Sequence, residues 1–326
     1  MSIKLERPKV SVIIPIYKVE KYIERCARSL FEQTLDNIEF VFVDDCTPDC
    51  SIEILTEIIR EYDSRIIEMN WDVKLEKMPF NSGLPAVRKY GVNIAKGEYI
   101  IHCDSDDWVN TNMYRSMYEK ARVEDADVVL CDFIVHDGNH IIKEVRGCHD
   151  TNINKLIVNL LYQKDPWSLW NKMFHKDVYS LNLIFPKGNM GEDMVITSQL
   201  ILNCKKVTYI PCPYYFYFSN QESITRKLTI QSVVSNFIAI KTNVDVVLKC
   251  YKNINDRRIA SGLLFIQYNA KAHLFPILHM KESRDLFKKT YPDLFKSMIL
   301  DYHFPKICII KYILSLLYLY PRKVRE

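Results

Sequence analysis

Apolar and polar positions change their period several times within the first hundred residues. Val10 to Ile16 (VSVIIPI) is a β-branched apolar run, the pattern of a strand covered on both faces. Ile23, Cys26, Ala27, Leu30 and Phe31 then recur at helical spacing with Glu and Arg on the other side, which predicts an amphipathic helix over Glu20 to Gln33. Residues 38–43 (IEFVFV) predict a second buried strand, and Ile52, Leu55, Ile58, Ile59 and Tyr62 a second helix. Leu84, Val87, Gly91 and Ile94 mark a third helix ahead of a strand over 99–103. Strand and helix thus alternate three times, as in a parallel sheet with helices on both faces. Ligands of such sheets sit beyond the carboxyl ends of the strands, so chemistry is expected after Ile16, Val43 and Cys103.

Those strand ends are acidic. Asp44 and Asp45 follow the second strand, and Asp104, Asp106 and Asp107 follow the strand over 99–103. A single aspartate there is as well explained as a helix N-cap, a reading that suits Asp49 and Asp107. Two clusters at neighbouring strand ends repel one another unless a cation or hydrogen-bond donors lie between them. Hard oxygen ligands without a nearby His or Cys motif favour Mg²⁺ or Mn²⁺, ions that bind together with substrate phosphates.

Further along, GNMGEDMVITSQLIL places Met194, Ile196, Leu200 and Ile201 at helical spacing, predicting a helix from near Glu192 whose acidic first turn faces outward. Favourable interaction with the helix dipole is the competing explanation for Glu192 and Asp193. Trp167 and Trp170 read as core residues, with a stacking face for a sugar as the alternative. Lys172 is a candidate point charge for a diphosphate, while His102 and His175 lack partners at ligand spacing and read as structural. After the aromatic strand YYFYF (214–218), helical periodicity dominates, as in Val233, Phe237, Ile240, Val244 and Val247. This divides the chain into a catalytic unit over 1–226 and a helical region over 227–326. The final stretch, PKICIIKYILSLLYLYPRKVRE, sets Ile307, Ile310, Leu314 and Leu317 on one helical face beside Lys306, Lys311, Arg322, Lys323 and Arg325. That composition suits an anionic membrane surface, and a docked core helix is the alternative.

Composition narrows the function classes. Of 326 residues, 48% are hydrophobic and 26% charged, so the chain can bury a large core and is neither disordered nor a disulfide scaffold. Forty-four basic against 40 acidic side chains leave a net charge of +4, too balanced for nucleic-acid binding as the main task. With only eight glycines there is no GxGxxG and no GxxxxGK[ST], which excludes dinucleotide fingerprints and P-loops. The ten cysteines form no CxxC, and the polar N-terminus leads into a strand rather than an apolar signal region. A reduced, cytoplasmic setting is expected, with peripheral attachment at the inner face of the cell membrane.

The ordered set VSVIIPIYKVEKYIERCARSLFEQT, IEFVFVDDCTPDCS and NSGLPAVRKYGVNIAKGEYIIHCDSDD resembles family 2 glycosyltransferases of the GT-A fold, closely over Val10 to Asp107. The likeness continues more loosely through Trp170-Asn171-Lys172 and Gly191-Glu192-Asp193 to Ser223-Ile224-Thr225. It implies an α/β fold with a mixed, mainly parallel sheet and a C-terminal helical appendage. By this resemblance Pro15, Tyr17 and Glu20 lie beside the nucleotide, Asp45 recognises the base, and Asp104 and Asp106 form an Asp-x-Asp element. Asp106 would then ligate Mn²⁺ or Mg²⁺, and Asp104 would contact ribose or metal-bound water. Arg88 is a phosphate-side or structural cation. An inverting transfer needs a base separate from the metal ligands, and the likeness favours Asp193, with Glu192 as the fallback.

Two positions depart from the family pattern: Cys46 stands where glycine is usual after the paired aspartates, and Lys89 where asparagine is usual. Cys46 bears a Cβ, which makes a left-handed backbone there less comfortable. The implied partners are a nucleoside-diphosphate sugar and a glycan or polyprenyl-linked acceptor. A non-catalytic nucleotide-sugar-binding or scaffold subunit of polysaccharide assembly is the alternative function. A nucleotidyltransferase fits less well, because VIIPIYKVEK lacks its phosphate loop.

Overall fold

The computed structural model describes residues 7–147, 151–179, 183–188, 190–219 and 229–317. The two apolar runs of the opening pattern become β1 (Val10–Ile16) and β2 (Ile38–Asp44), both buried along their whole length. They pair in parallel with each other, with β3 (Asp72–Lys77) outside β2 and with β4 (Tyr99–His102) on the other side of β1. The sheet continues through β8 (Lys172–His175), β6 (Val128–His136), β9 (Val207–Phe218) and β5 (Trp108–Val109), giving the order β3-β2-β1-β4-β8-β6-β9-β5. β8 runs antiparallel to both of its neighbours, and β5 antiparallel to β9. β7 (Ile141–Val145) pairs with β6 beyond the end of β8. The sheet is therefore mixed and mainly parallel, as expected.

Strand alternation sorts the core into two layers. Val10, Val12, Ile14 and Ile16 of β1 pack with Phe31 of α1 (Ile23–Phe31), Leu55 of α2 (Ser51–Glu61) and Tyr114 of α5 (Met113–Glu124). Ile13 faces the opposite layer, with Val87 and Val92 of α4 (Leu84–Ile94), Leu160 of α6 (Ile153–Leu161) and Ile196 of α7 (Glu192–Asn203). Gly91 lets α4 approach this closely, since a Cβ there would stand 2.5 Å from Ile13 Cγ2. The first helix begins at Ile23 rather than at residue 20. Residues 17–20 instead form a loop stitched to the loop after β2, with the Lys18 amide donating to Thr47 Oγ1 at 2.8 Å and the Glu20 amide to Asp49 Oδ2 at 3.1 Å.

The short helix α3 (Asp63–Glu68) follows α2 before β3. The C-terminal helices are α8 (Ile230–Tyr251), α9 (Arg257–Ala272), α10 (Lys281–Lys289), α11 (Leu294–Leu300) and α12 (Lys306–Leu316). Val244, Val247 and Tyr251 of α8 and Ile259 and Ile266 of α9 join the α7 layer of the core. Their other contacts, with Phe275, Phe287, Met298 and Tyr312, build a separate helical core. The expected boundary at residue 226 lies outside the described residues.

Candidate active site

β1 is where the chain order of the sheet reverses, so the crevice opens between the carboxyl ends of β1 and β4. Pro15 sits at that point. The carbonyls of Lys9, just before β1, and Ile13 accept from the amides of Tyr99 and Cys103, while that of Ile16 accepts from Asp45, so odd positions face the β4 side and even positions face β2. β4 pairing ends at Ile13–His102, hence the N–H that Pro15 lacks would have had no strand partner. Tyr17 follows with its ring 42% exposed. Glu20 accepts from the Cys50 amide at 3.2 Å, which ties together the two loops that flank the crevice.

Asp45 accepts from the amides of Ser82 at 2.6 Å and Gly83 at 2.9 Å, fixing the entry of α4. Each carboxylate oxygen retains acceptor capacity for a base edge. Cys46 adopts φ +54°, the left-handed conformation that glycine would take freely, and its thiol donates to the Met78 carbonyl at 3.1 Å. The loop thus keeps the path that a glycine would give it, at a cost on the order of 1 kcal/mol.

α4, once anchored, carries Arg88 to the centre of the site. Its guanidinium is 1% exposed and donates to Asp104 Oδ1 at 2.9 Å, Glu192 Oε1 at 3.1 Å and Asp193 Oδ1. Burial works against its charge, but Asp193, Asp104 and Glu192 together hold it above the ordinary arginine pKa. The acidic first turn of α7, expected to face outward, instead faces inward onto Arg88. Gly191, at φ +77°, makes the sharp entry that turns Glu192 and Asp193 this way. Burial, with Asp193 adding to it, pushes Glu192 up to about 8, so it gives up its proton less readily than an ordinary glutamate. Asp193 is also shifted upward by burial, with Arg88 opposing the shift, and its side chain is a quarter exposed. It is the more reachable of the two carboxylates.

Asp106 stands at the other side of Asp104. Burial first, and the neighbouring charge of Asp104 second, raise it to about 6. Arg25 reaches the Asp106 backbone carbonyl at 3.0 Å rather than its carboxylate. Among the described residues no group of three His, Cys, Asp or Glu side chains converges to hold an ion. The protein alone would leave most of a cation's shell to other oxygens. That donor set fits a hard divalent ion held by one or two carboxylates and completed by substrate phosphates and water. Beneath the acidic loop, the Tyr215 hydroxyl accepts from the Asp104 amide at 3.1 Å and donates to Asp107 Oδ2 at 2.6 Å. The Phe218 amide donates to Asp107 Oδ1 at 2.6 Å, so Asp107 bolts the loop to β9.

One residue, Lys172, lies elsewhere than the sequence suggested, and Trp170 takes the core position it was read to have. Lys172, expected beside a diphosphate, is buried with its ammonium bonded to the Pro166 and Ser168 carbonyls at 2.8 Å and to Asn171 Oδ1 at 2.9 Å. Burial lowers it to about 8, and it braces the loop ahead of β8. Trp170 stacks on Tyr215 at 4.2 Å and meets Phe133 edge-on, which makes it core rather than a sugar platform. His102 is buried against the Tyr179 hydroxyl at 3.3 Å, as its structural reading anticipated. Sequence reasoning missed Arg25 and Tyr215, and Asp107, offered as a helix N-cap, holds the loop to β9 instead. Arg25 was placed on the polar face of its helix, yet its guanidinium lies 3.7 Å from the Trp108 ring centroid.

With this geometry in place, residues 11–178 match the family model described as glycosyl transferase family 2. The chain belongs to that family. Among curated relatives, this glycosyltransferase is 29% identical over 232 residues to "Glycosyltransferase GlyA" of Streptococcus pneumoniae, an alignment covering 68% of this chain and 32% of that protein. It is 28% identical over 247 residues to "Putative glycosyltransferase EpsH" of Bacillus subtilis, covering 73% of this chain and 69% of the relative. The match thus spans about a third of GlyA and about two thirds of EpsH. Staphylococcus aureus TarS 1–349, solved in complex with UDP-GlcNAc, superposes with a TM-score of 0.69 over 95% of this chain and 86% of that one, at 19% identity. That likeness establishes the GT-A fold with its C-terminal helical region.

Proposed function

We propose that the enzyme transfers a sugar from a nucleotide-sugar donor to a hydroxyl of a glycan or polyprenyl-linked acceptor, with inversion at the anomeric carbon. The observation that carries this reading is the Arg88 hub, which brings Asp104 of the Asp-x-Asp element and the Glu192-Asp193 pair onto one guanidinium. A donor-side carboxylate and an acceptor-side carboxylate thereby stand within the span of one side chain. Pro15, Tyr17, Glu20 and Asp45 surround the nucleotide in this reading, at the strand ends where an α/β sheet binds its ligands.

Asp193 accepts the proton of the acceptor hydroxyl as the new glycosidic bond forms and the bond to the donor phosphate breaks. The nucleoside diphosphate leaves with that electron pair. Glu192, the more buried of the two and pushed up to about 8, positions rather than accepts, while Arg88 opposes the upward shift of Asp193 and so favours its ionised form. A divalent ion, Mn²⁺ or Mg²⁺, would be held by Asp106 and would neutralise the departing diphosphate. Asp104 would contact ribose or metal-bound water in this reading.

Donor hydrolysis measured across a panel of nucleotide sugars, with Mn²⁺, Mg²⁺ or a chelator, tests this. One donor should be turned over in a metal-dependent way, and Asp106→Ala should lose both turnover and metal-stimulated donor binding while retaining its far-UV CD spectrum. Wild-type turnover by Asp106→Ala with Mn²⁺ still required would remove Asp106 from the metal site. Failure of every donor would favour the non-catalytic alternative.

A further inference from the structure

α12 is apolar on two opposite sides, although among the described residues only one of them is buried. Its inner seam, Cys308, Tyr312 and Ser315, is buried. Tyr312 stacks on Phe295 at 5.2 Å and meets Phe287 and Phe275 at 5.2 and 6.2 Å, so the helix is docked and its inner face satisfied. At 100° per residue, Ile307, Ile310, Ile313, Leu314 and Leu317 fall on the arc opposite that seam. All five are exposed, Ile307 and Leu317 by 57% and 59%. Just before the helix, Leu300 and Tyr302 are 75% and 89% exposed.

Lys306 and Lys311 are exposed on the same helix, and residues 302–325 contain five Lys or Arg and neither Asp nor Glu. The outer stripe of α12 thus sets five exposed apolar side chains along one helical face beside Lys306 and Lys311, more than scattered surface leucines require, with Asp301 between Leu300 and Tyr302 the nearest acidic residue in the chain before it.

We infer that the outer face of α12, with Leu300 and Tyr302, docks on an anionic membrane surface, lying in the headgroup plane. Charge selects this occupant. A second copy applied to the stripe about a two-fold axis would bring the lysines of both copies to one interface with no acidic side chain on α12 to pair them. An anionic bilayer offers both an apolar boundary for the stripe and headgroups for the lysines. Tyr302 carries an apolar ring and a polar tip, the combination favoured at that boundary. Among the described residues no helix is long and apolar enough to cross a membrane, so the contact is an interfacial one. The inference is independent of the sugar-transfer reading, because its test reads binding rather than catalysis.

The full chain is co-sedimented with phosphatidylcholine vesicles with and without phosphatidylglycerol, at low and high NaCl. Binding should require the anionic lipid and fall ~10-fold or more at high salt. Since each basic residue near such a surface contributes about 1 kcal/mol, or ~5-fold, Lys306→Gln with Lys311→Gln should lower the partition coefficient ~10-fold or more. Ile310→Glu with Leu314→Glu should abolish binding at every salt concentration and leave the melting temperature nearly unchanged, because both side chains are partly exposed and neither belongs to the helical core. Three results would each overturn the inference. They are no binding by the full chain, a marked fall in melting temperature in the Ile310/Leu314 variant, and a solution dimer that this variant dissociates without any vesicle binding.

Discussion

Replacing Arg88 with methionine removes one positive charge from among three carboxylates while keeping a side chain of similar length. A unit-charge contact near 4 Å is worth about 4 kcal/mol at the effective permittivity of a partly buried site, and desolvation of the guanidinium offsets part of that. Removing one partner of a buried pair costs roughly 3–5 kcal/mol. Asp104 and Asp193 are each about a quarter exposed, so water screens them, whereas Glu192 is 8% exposed and is not screened. The expected loss is therefore ~3 kcal/mol at pH 8.5, near the lower end of that range. Its pH dependence has a definite sign. Glu192 is raised from 4.5 to about 8 in the folded protein, so its contribution is fully present below 4.5 and is lost as pH rises through 8. Without Arg88 that pKa rises further and the loss extends to higher pH, so the deficit should widen from pH 5.5 to 8.5. Urea unfolding of wild type, Arg88→Met and Arg88→Lys at both pH values measures this. The lysine variant should fall between the other two, since it keeps the charge and loses the fork. Equal stability of wild type and Arg88→Met, or a deficit larger at pH 5.5, would refute the assignment of Arg88 as the charge that holds this cluster together. In a transfer assay, the acid limb of kcat against pH should move to higher pH in Arg88→Met, because Asp193 then ionises later.

Asp193→Asn should retain donor binding and lose transfer by on the order of 10²–10⁴, read from single-turnover rates. Glu192→Gln should transfer far better than Asp193→Asn, and the reverse ranking would move the base to Glu192. Away from the site, Lys271 is buried with its ammonium 4.2 Å from the Phe287 ring centroid and 5.3 Å from that of Tyr312, and burial lowers it to about 8. Below that pH the fold must carry a buried ammonium that the rings stabilise only in part, so Lys271→Met should stabilise the protein by ~2 kcal/mol at pH 7. That gain should shrink as pH rises from 8 towards 10.5, the ordinary lysine value. Denaturation at pH 7 and pH 10 decides it, and a variant less stable than wild type at pH 7 would mean that the cation–π contacts outweigh desolvation.

The parts of this protein that its sequence determined unaided are those where burial is complete and local. β1, β2 and β4 are legible because a strand covered on both faces must be apolar at every position, α4 because one stripe of it meets the core, and α7 because it is buried nearly all round from Met194 to Ile201. The acidic strand ends are legible for a related reason, since carboxylates are not gathered at the end of a buried strand without something to neutralise them.

β3 escaped notice because it lies at an edge. Four of the six residues of DVKLEK are charged, and its Lys74 reaches inward to neutralise the buried Glu39 of the neighbouring strand. β5 has two residues and exists only through its pairing with β9. The charged side chains were the least readable. Arg25, Arg88 and Lys172 look alike in a sequence, because a long aliphatic stem lets each either reach water or turn inward. Which of these occurs depends on where acceptors separated by tens of residues come together. Arg88 is drawn inward by Glu192 and Asp193, more than a hundred residues further along, and Lys172 by carbonyls in the turn just before it. The chemistry of a long-range ion pair is written in residue types, but its existence is decided by a sheet order and a helix entry that no local pattern specifies.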